Sequence, residues 1–281
     1  MLCRIGDVEI WRILEIHGPF MAPEELFPTA GPDVARIIAE TTPHSLCPES
    51  GRLILPIQGF LLKTPHHTIL VDSCVGNHKT IPGRPDWHQR DSGRFMAALA
   101  AAGMDVADVD YVLCTHLHTD HVGWNTRLED GRWVPTFPNA RYLMPMADEA
   151  EHRERASDLY AESVLPVIET GQADMVEAGH RIGDHVTLIP TPGHTPGHVS
   201  VEIRSGDRMA LITGDALHTT AQCRHPEWHF KFDSDPERAV VSRKHFLADA
   251  AEAGCVVLGN HFVLPSLGRV VAKGGGFRWE D

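Results

Sequence analysis

Four of the seven residues in Thr115-His116-Leu117-His118-Thr119-Asp120-His121 carry imidazole or carboxylate groups able to bind a divalent ion. They follow Tyr111-Val112-Leu113-Cys114, an apolar run that reads as a short buried strand. On an extended strand end, side chains two apart point the same way, so His116 and His118 can grip one ion. The chain must then turn, and Asp120 and His121 can face a second ion. Three later segments repeat the pattern of an apolar strand followed by a loop with a ligand: His194 in TPGHTPGH, Asp215 in ITGDAL and His261 in VVLGNHF. Functional groups in α/β sheets collect beyond the carboxyl ends of strands, so four such ends would bring seven candidate ligands to one rim. This donor set suits zinc first, with iron, manganese or cobalt as the alternatives.

The composition agrees with a metal-binding, small-molecule role. Histidine is unusually common, 19 residues against 6 Cys and 3 Tyr in a chain of 281. The formal net charge of −13 argues against nucleic acid, whose phosphates need Lys and Arg, and against an anionic membrane surface. No apolar run approaches the roughly 18 residues of a membrane span. The opening MLCRIGDVEIWRIL alternates charged and apolar residues, so no signal peptide is expected. The six Cys are scattered without a CxxC, which predicts free thiols in a reducing cytoplasm.

The elements that must carry these loops can be read from the apolar pattern. Residues 4–16 predict a strand, and the proline-rich stretch 18–56 predicts loops with one short helix near 33–40. That excursion is expected to cover a site or form a homodimer contact. A hairpin is predicted over 59–64 and 68–72, and helices over 92–102, 147–165 and 236–253. Strands are predicted at Val186–Pro190 and 255–258, a second hairpin at 199–204 and 209–213, and a final strand pair within 268–279. The two hairpins each lead into an aspartate, Asp72 in LVDS and Asp215 in TGDA, which suggests a weak internal duplication. Strands alternating with helices fit either a four-layer αββα sandwich or a doubly wound sheet, and periodicity does not decide between them.

The motifs do. HLHTDH, PGHTPGH, TGDA and GNH, in this order, resemble the metallo-β-lactamase superfamily, whose fold is an αββα sandwich. The resemblance spans residues 116–261, with matching strands over about 53–270, and implies a single domain over 1–281 with the loop-rich extension at 18–56. It implies two divalent ions: one held by His116, His118 and His194, the other by Asp120, His121 and His261, with Asp215 bridging. A hydroxide shared by two such ions would attack the substrate, and Asp120 would act as general acid–base. His198 is expected to support the site rather than bind metal. Asp72 is expected to hydrogen-bond a ligand histidine such as His116.

Departures narrow the branch. Flavodiiron oxidoreductases carry Glu where this chain has His118, and the best-known zinc β-lactamases carry Arg where it has His121. The ending GNHFVLPSLGRV, the segment GDALHTTAQCRHPEW and the early RILEIHGPF resemble the branch of N-acyl-homoserine lactonases and methyl-parathion-hydrolase-like enzymes. That implies a lactone or carboxylic ester as substrate. A phosphotriester on the same site is the first alternative, and an iron-dependent oxidoreductase or dioxygenase the second. His218 and Trp228 are further candidates for substrate contact, and Phe20, Met21, Trp87, Trp124 and Phe230 for an apolar pocket.

Overall fold

The computed structural model describes every residue from Met1 to Asp281, and the chain divides into two units, 1–15 with 57–185 and 16–56 with 186–281. Its strands are β1 (Cys3–Ile5), β2 (Val8–Pro19), β3 (Ile54–Lys63), β4 (Thr68–Val71), β5 (Tyr111–Leu113), the hairpin β6 (Thr126–Glu129) and β7 (Arg132–Pro135), β8 (Arg141–Pro145) and β9 (Ala173–Val176). One sheet runs β1-β2-β3-β4-β5-β8-β9. Residues 55–62 of β3 are buried without interruption, the mark of a strand covered on both faces. β4, β5, β8 and β9 are parallel neighbours. Parallel strands need crossovers, supplied here by the helix Arg94–Ala101 before β5 and the helix Met146–Arg155 before β9. Val71 pairs with Leu113, so the loops after β4 and β5 leave the same edge of this sheet at the same level.

The second sheet runs in sequence order through β10 (Arg181–Ile182), β11 (Val186–Pro190), β12 (Val199–Ser205), β13 (Arg208–Ile212), β14 (Val256–Leu258), β15 (Leu267–Lys273) and β16 (Gly276–Glu280). β13 and β14 are parallel, with Ile212 opposite Leu258, and the helix Pro236–Ala253 makes the crossover between them. β12 is antiparallel to both neighbours, with Pro190 opposite Val199 and Val201 opposite Ile212. The turn after β11 and the loops after β13 and β14 therefore all leave one edge. The helix is held there from below by Phe246, Leu247 and Ala250, buried with Leu211, Leu217 and Val257.

The sequence pattern locates most elements and misplaces a few. The helix Pro236–Ala253 and its closing Gly254 (φ +57°) lie where expected, as does the short helix Val34–Thr41. The expected strand over 4–16 is two strands, β1 and β2, broken at Gly6 (φ +56°), and β2 runs on to Pro19. The helix expected over 147–165 stops at Arg155, because Ala156 turns left-handed (φ +46°); a π turn at Tyr160–Val164 and a short helix at Leu165–Glu169 follow. All six cysteines are free, and no helix is long and apolar enough to cross a membrane.

Candidate metal centre

In the first unit, two loops are joined backbone to backbone. Ser73 N–H donates to His121 O, Gly123 N–H to Cys74 O, and Trp124 N–H to Ser73 O, at 2.7–2.9 Å. The approach is so close that a Cβ on Gly123 would lie 1.8 Å from Val75 O, which only glycine allows. Glu15, fully buried, accepts from Val75 N–H and Trp124 Nε1–H, both at 2.8 Å, and so ties the same two loops from beneath. Its own burial pushes its carboxyl pKa up, against the pull of Arg90. Asp72 completes the frame. Its Oδ1 accepts from Thr115 N–H, and its Oδ2 accepts from Thr115 Oγ1–H and meets His121 Nδ1 at 2.9 Å. The candidate ligand on Asp72 is thus His121, while His116 Nδ1 lies 3.1 Å from Thr115 Oγ1. The rings of His116, His118 and His121 gather tightly, with centroids 4.6 Å apart for His116 and His118 and 4.0 Å for His116 and His121.

In the second unit, the Thr191-Pro192-Gly193-His194 turn docks on the start of the helix Pro236–Ala253. Gly193 has φ +130°, and a Cβ there would lie 2.1 Å from Ala239 N, so this residue too has no substitute. His194 Nδ1 meets Asp233 Oδ1 at 2.9 Å. Asp233 also accepts Phe230 N–H and faces Arg243 Nη2 at 3.5 Å, with both side chains fully buried. Arg243 donates to three carbonyls as well, those of Ala216, Pro226 and Trp228, and so binds the whole segment after Asp215. Burial lowers the Arg243 pKa; burial also works to raise Asp233, but the hydrogen bond and charge of His194, and then the Arg243 charge, hold it low. Burial also works against a charge on His194, but Asp215 and then Asp233 outweigh it and raise the imidazole to about 9 with no ion bound. His261 Nδ1 meets Pro56 O at 2.8 Å.

Asp215 stands among these rings. Its Oδ2 lies 3.2 Å from His194 Nε2 and 3.1 Å from His218 Nε2, and its Oδ1 lies 3.1 Å from His261 Nε2. His198, buried, accepts the Asp215 N–H on Nε2 at 2.7 Å and turns Nδ1 to Thr191 O at 3.0 Å. Burial, the largest effect, drives the His218 pKa down to about 3, so that ring is neutral.

The structure brings the seven expected ligands into two groups, His116, His118, His194 and Asp215, and Asp120, His121 and His261; within each group the ligand atoms lie within 4.8 Å of one another. Imidazole nitrogens and carboxylate oxygens in sets of three and four are the donors that zinc and its neighbours take. The hydrogen-bond pattern agrees: His121 and His194 each turn Nδ1 to a carboxylate and His261 turns it to a carbonyl, which leaves Nε2 as the nitrogen an ion would take, displacing any proton there.

The aromatic candidates separate. Trp124 stacks on Phe95, and Trp87 lies under the Arg84 guanidinium; both are buried. Trp228 is buried between Phe27 and a stacked His225. Phe230 lies flat on His218, centroids 3.4 Å apart, and continues through Phe232 to Phe20 in a row of ring contacts; Phe232 is 43% exposed. Sequence reasoning missed Asp233, Arg243 and Glu15. An acidic residue 39 positions after His194 carries no local signal of its role.

Residues 54–253 match the metallo-β-lactamase superfamily, and the chain belongs to it as a metallo-hydrolase. Within the superfamily it falls with the lactonase-like branch: the N-acyl homoserine lactonase AiiA of Bacillus thuringiensis subsp. kurstaki is 30% identical over 210 residues, 69% of this chain and 76% of that one. Among solved structures, the hydrolase AbOPH is 25% identical, with a TM-score of 0.82 over 99% of this chain and 95% of its own. AidC, a dizinc quorum-quenching lactonase in complex with a product, is 21% identical, with a TM-score of 0.80 over 99% and 95%. The α/β fold is thus of the metallo-β-lactamase type.

Proposed function

We propose that this chain is a binuclear metallo-hydrolase that opens a lactone or cleaves a carboxylic ester. One observation carries the two-ion reading. A single carboxylate, Asp215, turns one oxygen to His194 and the other to His261, one histidine from each ligand group. A carboxylate so placed can bridge two ions. His116, His118 and His194 would hold one ion, and Asp120, His121 and His261 the other. The lactonase names of the relatives support the ester class.

When bound, a pair of divalent ions supplies a nucleophilic hydroxide at neutral pH and polarises the substrate oxygen. The chain's own work is orientation and proton movement. Asp72, Asp233 and Pro56 O fix the ring planes of His121, His194 and His261 before substrate arrives. Asp120, with its side chain 15% exposed and Oδ2 3.8 Å from His121 Nε2, takes the proton released as the new C–O bond forms. It returns that proton to the departing alkoxide as the ester C–O bond breaks. The row from Phe230 to Phe232 and Phe20 offers a surface for the apolar part of the ester.

The test is a hydrolysis panel on metal-quantified protein: lactones, aryl esters, β-lactams, thioesters and phosphotriesters, run in air and under nitrogen. Fastest turnover on lactones or esters, independent of oxygen and with two ions per chain, is the expected result. Fastest turnover on phosphotriesters would move the substrate class, and a dependence on oxygen would overturn hydrolysis.

A further inference from the structure

His218 is the histidine beside the ligand groups whose two nitrogens are the other way round. His121, His194 and His261 each engage Nδ1 with a protein oxygen and present Nε2. His218, 1% exposed, leaves Nδ1 without a hydrogen-bond partner and sets Nε2 3.1 Å from Asp215 Oδ2. The ring has no room to turn. Phe230 lies flat against it at 15° and 3.4 Å, His261 is parallel to it at 4° and 5.6 Å, and its backbone N–H is held by Gln222 Oε1 at 2.8 Å. A buried acceptor without a partner is a cost that native folds rarely carry, and it calls for a reason. The reason offered by the geometry is the other nitrogen: a ring carrying its proton on Nε2 can donate to the carboxylate only if Nδ1 is left bare.

We propose that His218 is a positioning residue that holds the bridging carboxylate: its Nε2–H donates to Asp215 Oδ2 and so fixes which oxygen faces His194 and which faces His261. The inference rests on the two-ion reading. His198 does the complementary task on the main chain, accepting the Asp215 N–H. The carboxylate is then pinned at backbone and side chain by two histidines that stand in neither ligand group. Oδ2 keeps a lone pair for an ion beside His194, since a carboxylate oxygen accepts more than one donor. Oδ1 stays turned to His261.

The test uses the full chain and reads metal rather than turnover. Zinc affinity is measured by chelator competition in wild type, His218→Phe, which keeps a flat ring on Phe230 but has no donor, and His218→Gln, which keeps an N–H near the same place. Loss of such an orienting partner costs about 10–100-fold in metal affinity. His218→Phe is expected to lose that much, and His218→Gln to stay close to wild type. In zinc-loaded wild type, nitrogen-15 spectra of the imidazoles are expected to show His218 protonated on Nε2 and bound to no metal. That reading stands even if a variant fails to fold. Two ions in wild type with unchanged affinity in His218→Phe, or a metal-bound His218 Nε2, would overturn the inference alone. Fewer than two ions in wild type would overturn the two-ion reading and the inference with it.

Discussion

Replacing Asp233 by Asn separates two roles that one buried carboxylate combines. Its Oδ1 orients His194, and its Oδ2 side faces Arg243, whose side chain is fully buried. Removing the charge leaves the guanidinium uncompensated in the interior, and breaking such a pair costs about 3–5 kcal/mol. Arg243 keeps its three carbonyl acceptors, which favours the lower end, about 3 kcal/mol. For a domain of this size, about 2 °C of melting temperature is lost per kcal/mol, so the metal-free variant should melt about 6 °C lower. Orientation of His194 should weaken independently, at about 10–100-fold in zinc affinity. The double variant Asp233→Asn, Arg243→Met distinguishes the two effects, because replacing both members of a buried pair with neutral groups is often close to neutral for stability. Because Met also leaves the carbonyls of Ala216, Pro226 and Trp228 without this donor, the double variant should regain only part of the melting temperature, and none of the zinc affinity. Differential scanning calorimetry of metal-free protein and chelator competition measure the two separately. If Asp233→Asn melts with wild type, the Asp233 charge does not compensate the buried Arg243 guanidinium. If the double variant also regains zinc affinity, Asp233 does not act through His194.

Three further outcomes are expected. Asp120→Asn should lower kcat by about 10²–10⁴-fold with KM little changed, measured by ester hydrolysis at fixed metal content. His194, raised to about 9 with no ion bound against 6.5 unperturbed, should stabilise metal-free protein fully below about pH 6.5 and lose that contribution as pH rises through 9. Below pH 9, zinc binding should therefore release a proton from it, seen by calorimetry in buffers of different ionisation enthalpy. Lys79 is lowered to about 7 by burial, with Nζ on Thr126 Oγ1 at 2.6 Å and over the Trp133 ring at 3.6 Å. A base lowered from 10.5 penalises folding below its unfolded pKa, so zinc-loaded protein should gain stability between pH 7 and 10, and Lys79→Met should flatten that rise.

What the sequence made legible followed from local pattern. The helix Pro236–Ala253 carries its start and stop in Pro236 and Gly254, and β15 and β16 announce themselves by Gly274 and Gly275 between two alternating runs. The seven candidate ligands stood out because each follows an apolar strand by three to eight residues, a spacing that survives folding unchanged. Asp233 and Arg243 were invisible because their roles arise only when a loop 39 residues beyond His194 returns to it. Glu15 was hidden by its place in an alternating strand, where a charged residue normally reads as facing water; here it is fully buried beneath Trp124. Ala156 has no sequence cue for its left-handed turn, which is why one helix was expected where the chain breaks.

The echo between the two sheets has a consequence for how such a centre arises. β3, β4 and β5 repeat in β12, β13 and β14: an antiparallel pair, then a parallel neighbour, with an aspartate just past the middle strand. In one copy that aspartate, Asp72, gives its oxygens to Thr115 N–H, Thr115 Oγ1–H and His121 Nδ1, and has become a strut. In the other, Asp215 faces the Nε2 atoms of His194, His218 and His261. The same kind of turn thus yields a girder in one sheet and a candidate metal bridge in the other, distinguished by their neighbours rather than by their chemistry. Removing the donors around Asp72 should loosen its hold on His121 before it creates a new ligand, so the two aspartates are not interchangeable.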